Sequence, residues 1–327
     1  METYRQIVVA GMQTDWLSIE PVDEKPTEIV LFLPGNPSLM NFYKQFCREL
    51  YSELGGRKAV WSITMGEQAA TRHAFWETMK PRPTPSLEKQ LQHKAEFISE
   101  YIPSNAKVSI IGYSISCYLL LDMLRQENFA IGTTDSGTKT NDDITVVDSV
   151  YLIFPTIERM KETPLGRIFL PALSYFTWFI LMFAYIVCVV PPFIKFPVIR
   201  RILTSGDGKP PQDQFVQGAI EMIHPVMLKR VLNTLKEELE KVVELDLHII
   251  EKNRQKIVFY YGSYDGLCPK KFLFELQDKV PELRAYLCQD SLHHVYVTHT
   301  SVQMAKIMGT MMGKQENGMM PSIVAPG

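Results

Sequence analysis

In the stretch IIGYSISCYLLLDML, residues 110–124, a serine has a small residue two positions away on each side, where an apolar run meets a helical pattern. Gly112-Tyr113-Ser114-Ile115-Ser116 misses the G-x-S-x-G nucleophile elbow only at its last position. Such a turn lifts the hydroxyl above the carboxyl edge of a sheet and requires small residues two before and two after the serine. Ser116 adds only a CH2OH group, so restoring glycine there is expected to leave activity equal or higher. A serine nucleophile needs a base, and the base needs an acid to orient it. VFYYGSYDGLCP sets Asp265 in a loop after one β-rich run, and CQDSLHHVYVTH sets His293 and His294 in a loop after the next. Ser, then Asp, then His is the order that accompanies this elbow, and the chemistry would be acyl transfer. An oxyanion hole needs two backbone N–H donors. Ile115 follows the nucleophile; Asn36, in LPGNPS, precedes a proline that has no N–H and holds the chain extended. Each residue also has a plainer reading: Ser114 as a helix N-cap, Asp265 as an Asp-Gly turn, the histidines as surface loop residues, PGNP as a strand-ending turn. Three plain readings at three correctly ordered strand ends are a less economical account than one triad.

The surrounding elements would have to bring these loops to one edge. EIVLFLPG (28–35) is a continuous apolar run ending in Pro-Gly, as a buried parallel strand should be. A helical pattern (39–54), a strand (58–65), an amphipathic helix with Ser86 as N-cap (85–102), a strand running into Ser114 (106–114) and another strand (146–155) follow. RQIVVAG and DWLSIEP suit a leading antiparallel pair. This alternation predicts a doubly wound α/β fold with a mostly parallel sheet. GTTDSGTKTNDD (132–143) reads as a flexible surface loop. Residues 156–254 form a helical insertion, including a charged helix over 228–250. The rhythm resumes with a strand (255–266), a helix (269–279), a short strand (283–288) and a helix near 300–313. The expected organisation is a core over 1–155 and 255–313, a helical cap over 156–254 and a disordered tail over 314–327.

The chain of 327 residues is long enough to bury a full core. A net charge of −2 carries no basic footprint for nucleic acid. Five scattered cysteines, with no CxxC pair, suggest neither a disulfide framework nor a zinc site, and fit a reducing, cytosol-facing compartment. METYRQIVVAGM has no apolar core of a signal peptide.

LFLPGNPS, IIGYSIS, LIFPTIERM, FYYGSYDGLCP and HHVYVTH together resemble the lipid-droplet-associated hydrolase family over roughly residues 28–313, FPTIERM and PGNP being the more specific markers. The resemblance implies an α/β-hydrolase fold, a sterol-ester or other lipid-ester substrate, no cofactor or metal, and association with lipid droplets and endoplasmic reticulum. It puts the nucleophile on Ser114, the acid on Asp265 and the base on His294, which precedes Val295-Tyr296, rather than on His293. Two positions depart from the family pattern: Ser116 and Ser38 stand where glycine is usual. They keep open an alternative, a droplet surface protein whose hydrolase core is weakly active or only a scaffold.

Residues 168–194, IFLPALSYFTWFILMFAYIVCVVPPFI, contain no charge, amide or histidine. The 19 residues between Pro171 and Pro191 would make a helix of about 28 Å, near the thickness of a bilayer's hydrocarbon core. A single crossing would put Ser114 on one side and Asp265 and His294 on the other. The segment is therefore expected to meet a droplet monolayer or the endoplasmic reticulum from the cytosolic face, as a hairpin or embedded helix, or else to be a lid buried against the core. The basic flank KFPVIRR suits an anionic surface.

Overall fold

The alternating apolar runs assemble into one eight-stranded sheet in the order β1-β2-β4-β3-β5-β8-β9-β10. Its strands are β1 (Glu2–Val9), β2 (Met12–Ile19), β3 (Glu28–Leu33), β4 (Ala59–Ile63), β5 (Lys107–Tyr113), β8 (Ser149–Ile153), β9 (Ile257–Tyr261) and β10 (Arg284–Leu287). The computed structural model describes residues 1–22, 26–70, 83–126, 129–131, 145–204, 210–288, 294, 297 and 299–316. β1 and β2 form the leading antiparallel hairpin, and β2 meets β4 antiparallel. From β4 to β10 every pairing is parallel. The continuous apolar runs follow from this: β4, β8 and β9 are buried at every residue because helices cover both faces. Ser86 caps the helix α2 (Leu87–Tyr101), accepting from the Lys89 amide. α1 (Met40–Glu53) and α3 (Ile115–Met123) complete the first half of the chain.

Four expectations need correction, and a fifth falls on residues outside the described set. The run 146–155 is two strands: β7 (Thr145–Val147) pairs with β6 (Phe129–Ile131) in a separate two-stranded sheet, and β8 joins the main one. The loop expected at 132–143 lies outside the described residues. The charged helix 228–250 is broken in two, α7 (Pro225–Lys241) and α8 (Leu247–Lys252). The break has a local cause. The Val242 and Val243 carbonyls turn outward to accept from Met160 and Arg159, and Asp246 starts the second helix by accepting from the Ile249 amide. Pro171 does not bound the apolar helix: α4 runs from Gly166 to Cys188 with Pro171 inside its second turn. Finally, α10 (Ser301–Glu316) carries helix into the stretch 314–316 expected as tail, and residues beyond it lie outside the described set.

Among the described residues, a short 3-10 turn (Met160–Glu162) and the α-helices α4, α5 (Pro192–Leu203), α6 (Asp213–Ile223), α7 and α8 separate β8 from β9 in the chain. α4 packs on α7, α5 on α6, and α6 on α1. Along α4 only Gly166, Leu173 and Ala184 are buried. Tyr175, Phe176, Trp178, Phe179 and Phe183 stand out from it, with Trp178 67% exposed. Phe193, Ile194, Val198 and Ile202 do the same on α5. Of the three arrangements open for residues 168–194, the lid buried against the core does not describe this helix. After β9 come α9 (Lys270–Lys279) and β10.

Candidate active site

β5 ends on Tyr113 and α3 begins on Ile115, so Ser114 alone makes the turn between them. Its backbone has φ 56° and ψ −122°, a region that costs a non-glycine residue roughly 1–3 kcal/mol. This backbone does not suit a serine whose side chain caps a helix. An N-cap adopts an extended backbone and turns its oxygen onto the helix amides, whereas Ser114 makes no side-chain cap hydrogen bond. Gly112 is required by the sharpness of the turn: a Cβ there would meet the Leu120 side chain at 2.6 Å and the Ser116 carbonyl oxygen at 3.2 Å.

The loops after β9 and β10 reach the same place. His294 Nε2 lies 2.9 Å from Ser114 Oγ, and His294 Nδ1 lies 2.7 Å from Asp265 Oδ2. A carboxylate can only accept, so the imidazole proton sits on Nδ1 and Nε2 is left to accept from the serine hydroxyl. His293 lies outside the described residues. Asp265 is held by its own turn: the Leu267 and Cys268 amides donate to Oδ1 at 2.8 and 3.0 Å, and the Cys268 thiol donates to Oδ2 at 2.9 Å. Burial pushes this carboxyl up, but the adjoining His294 and the donors from Cys268 outweigh it and hold the group below the usual aspartate value. The bend over 266–268 is thus closed by the Asp265 side chain, and it presents a fully bonded carboxylate to the histidine.

The sequence did not single out Tyr113, Phe154 or Cys268, and all three touch the site. Tyr113 donates its hydroxyl to the His294 carbonyl at 2.5 Å. Phe154 takes a left-handed backbone at φ 49°, rare for a bulky residue, and its ring centroid lies 5.7 Å from that of His294. Phe154 opens the FPTIERM marker, whose other end is an ion-pair junction. Arg159 pairs with buried Glu158 at 2.6 Å and with Glu275, and its guanidinium covers the Phe272 ring at 4.2 Å.

The Pro34–Asn36 turn passes beside the nucleophile. A Cβ on Gly35 would lie 2.8 Å from Ser114 Cβ, so only glycine fits there. Ile115, the first residue of α3, contributes one of the helix amides without an intrahelical acceptor. Asn36 Nδ2 donates to the Val231 carbonyl of α7 at 2.9 Å, and its Oδ1 accepts from Gln68 at 3.1 Å. Ser116 is bonded to this turn directly, and Ser38 to Gln68, the residue that donates to Asn36. Ser116 Oγ donates to the Pro34 carbonyl at 2.6 Å. The Ser38 amide and hydroxyl both donate to Gln68 Oε1, and Ser38 Oγ accepts from the Met65 amide at 2.7 Å.

The expectation for Ser116→Gly therefore reverses. Losing the hydroxyl leaves a buried carbonyl on the turn that carries Asn36 without this donor, which costs about 1–3 kcal/mol. Thermal unfolding should show that loss, and kcat/KM on a soluble ester should fall several-fold. Unchanged stability with equal or higher activity would mean the bond does not hold the turn.

Asp265 Oδ2, Cys268 Sγ and a His294 nitrogen lie within 4.8 Å of one another, a spacing a metal could use. In this structure the three groups bond one another, Asp265 Oδ2 facing both the Cys268 thiol and His294 Nδ1. Burial, then the Asp265 charge, push the Cys268 thiol well above its usual value, so it is an S–H donor and not a thiolate.

The profile of the lipid-droplet associated hydrolase family matches residues 26–297. The human lipid droplet-associated hydrolase is 28% identical over 312 residues, covering 93% of this chain and 90% of that protein. Among solved structures, a haloalkane dehalogenase from Agrobacterium tumefaciens C58 superposes with a TM-score of 0.61 at 12% identity, covering 96% of this chain and 97% of its own. A serine hydrolase from Cycloclasticus zankles gives 0.58 at 13% identity, covering 98% and 100%. At these identities the structural likenesses speak for the α/β-hydrolase fold alone.

Proposed function

The chain belongs to the lipid-droplet-associated hydrolase family, and on that footing we propose that it is a serine hydrolase of lipid esters, sterol esters or other acyl esters, working at a lipid surface. One observation carries the reading: the hydrogen-bond line from Ser114 through His294 to Asp265, with steps of 2.9 and 2.7 Å. Ser114 Oγ attacks the ester carbonyl while His294 Nε2 takes its proton. Asp265 keeps the imidazole in the Nδ1–H tautomer and stabilises the imidazolium that forms. The Asn36 and Ile115 amides serve the oxyanion. His294 then returns the proton to the leaving alcohol, and a water activated by the same imidazole cleaves the acyl-enzyme. The bonding of Ser116 to the turn, and of Ser38 to the Gln68 that holds Asn36, supports an active enzyme over a bare scaffold.

Residues 156–254 form a cap over this site. α4 and α5 meet the lipid as helices lying in the interface, on droplets and on the cytosolic face of the endoplasmic reticulum. The broad apolar face of α4, which rests on α7 instead of standing free, supports that attachment over a crossing. A fluorophosphonate probe tests the chemistry. The native protein should take up one phosphonyl group, located by peptide mapping on Ser114. No adduct, or an adduct on another residue, would sink the assignment.

A further inference from the structure

Asp265 Oδ2 accepts two hydrogen bonds, one from His294 Nδ1 at 2.7 Å and one from the Cys268 thiol at 2.9 Å. We propose that Cys268 is a positioning residue for the hydrolytic reaction, its S–H fixing the carboxylate and withdrawing charge from the oxygen that faces the imidazole. This rests on Ser114, His294 and Asp265 acting as the triad.

The argument is one of lone pairs. A carboxylate has about four acceptor sites. Two on Oδ1 are taken by the Leu267 and Cys268 amides, one on Oδ2 by His294, and the thiol fills the last. The carboxylate therefore cannot rotate without breaking a bond on each oxygen. Cys268 Sγ also lies 3.9 Å from His294 Nδ1, beside the very contact it would tune. Cys268 is completely buried. Other titratable groups come in from neighbouring elements: Tyr113 from β5, Cys117 from α3 and Tyr261 from β9, with the Glu158–Arg159 pair behind Tyr261. Burial pushes Tyr113, Cys117 and Tyr261 well up, so these three are neutral near pH 7. The charge felt by the imidazole is then chiefly that of Asp265, and what draws on Asp265 Oδ2 matters.

Removing the thiol concentrates charge on the oxygen facing Nδ1–H and favours the imidazolium. The test is the pH profile of kcat/KM on a soluble ester for the native protein, Cys268→Ala and Cys268→Ser, with thermal unfolding measured alongside. In Cys268→Ala the acid limb should move to higher pH by about half a unit, as suits the loss of one weak donor to a charged acceptor. Activity on the acid side should fall about threefold, with the alkaline plateau retained. Serine, a stronger donor than a thiol, should bring the limb back to or below its native position. A lowered plateau in both variants with no movement of the limb would assign Cys268 to packing alone and overturn the proposal. A native protein that hydrolyses no ester and takes no probe at Ser114 would instead fail the underlying triad, and the proposal with it.

Discussion

Ser114→Ala and His294→Ala should each lower kcat on an ester substrate by at least about 10³-fold, and the double variant should be no worse than either alone, because triad members act as a unit. On the proposed mechanism the two losses are equivalent. Without Ser114 there is no atom to carry the acyl group; without His294 the hydroxyl has no acceptor at 2.9 Å and attacks as a neutral alcohol. Both variants should fold. Alanine at 114 bears the same backbone strain as serine, and the hydroxyl makes no cap bond whose loss would weaken α3. His293→Ala is the control and should keep most turnover. Single-turnover kinetics with circular dichroism on each variant would check this. Additive losses in the double variant, or a dead His293→Ala beside an active His294→Ala, would refute the assignment of the base.

Changing Phe176, Phe179 and Phe183 together to glutamate should release the protein from lipid. These rings are exposed on α4, so the substitutions remove no core contact. Each large apolar side chain taken out of water at a lipid surface contributes about 2 kcal/mol, and three of them correspond to a fall of more than about 10³-fold in partitioning. Three new carboxylates facing an anionic surface add to the effect. Flotation with phospholipid-coated triacylglycerol droplets measures it. Turnover of a soluble short-chain ester should persist while that of an emulsified ester collapses, since Ser114, His294 and Asp265 lie on other elements. A triple variant that still floats with the droplets would show that α4 is not the attachment surface.

Much of this arrangement was legible because it is locally encoded. The buried strands β3, β5, β8 and β9 are short unbroken apolar runs, and each is followed by the turn residues on which the site depends. Strand ends fall where those runs stop, so Asn36, Ser114 and Asp265 could be set on one edge of a parallel sheet before any contact was known. The apolar length of residues 168–194 was equally plain. What periodicity does not carry is the partner of a polar atom. Nothing in D-G-L-C says that the cysteine thiol turns back onto the carboxylate, because that depends on a three-residue turn closing against a histidine 29 residues away.

The chain by itself determined the fold class, the order of serine, acid and histidine along it, and the presence of one segment too apolar for water. These follow from side-chain hydrophobicity and its spacing, which act over a few residues. Tertiary structure decided the rest. Ser114 stands at the N-cap position of α3 without a side-chain cap bond, because its amide donates to the Ile153 carbonyl on the neighbouring strand and its backbone is turned to φ 56°. Ser116 and Ser38 are tolerated because the Pro34 carbonyl and Gln68 stand where their hydroxyls point. The charged helix breaks after Lys241 because Arg159 and Met160, some 80 residues earlier, claim its next carbonyls. Such bonds join residues far apart in the chain and form only once the sheet has brought their elements together.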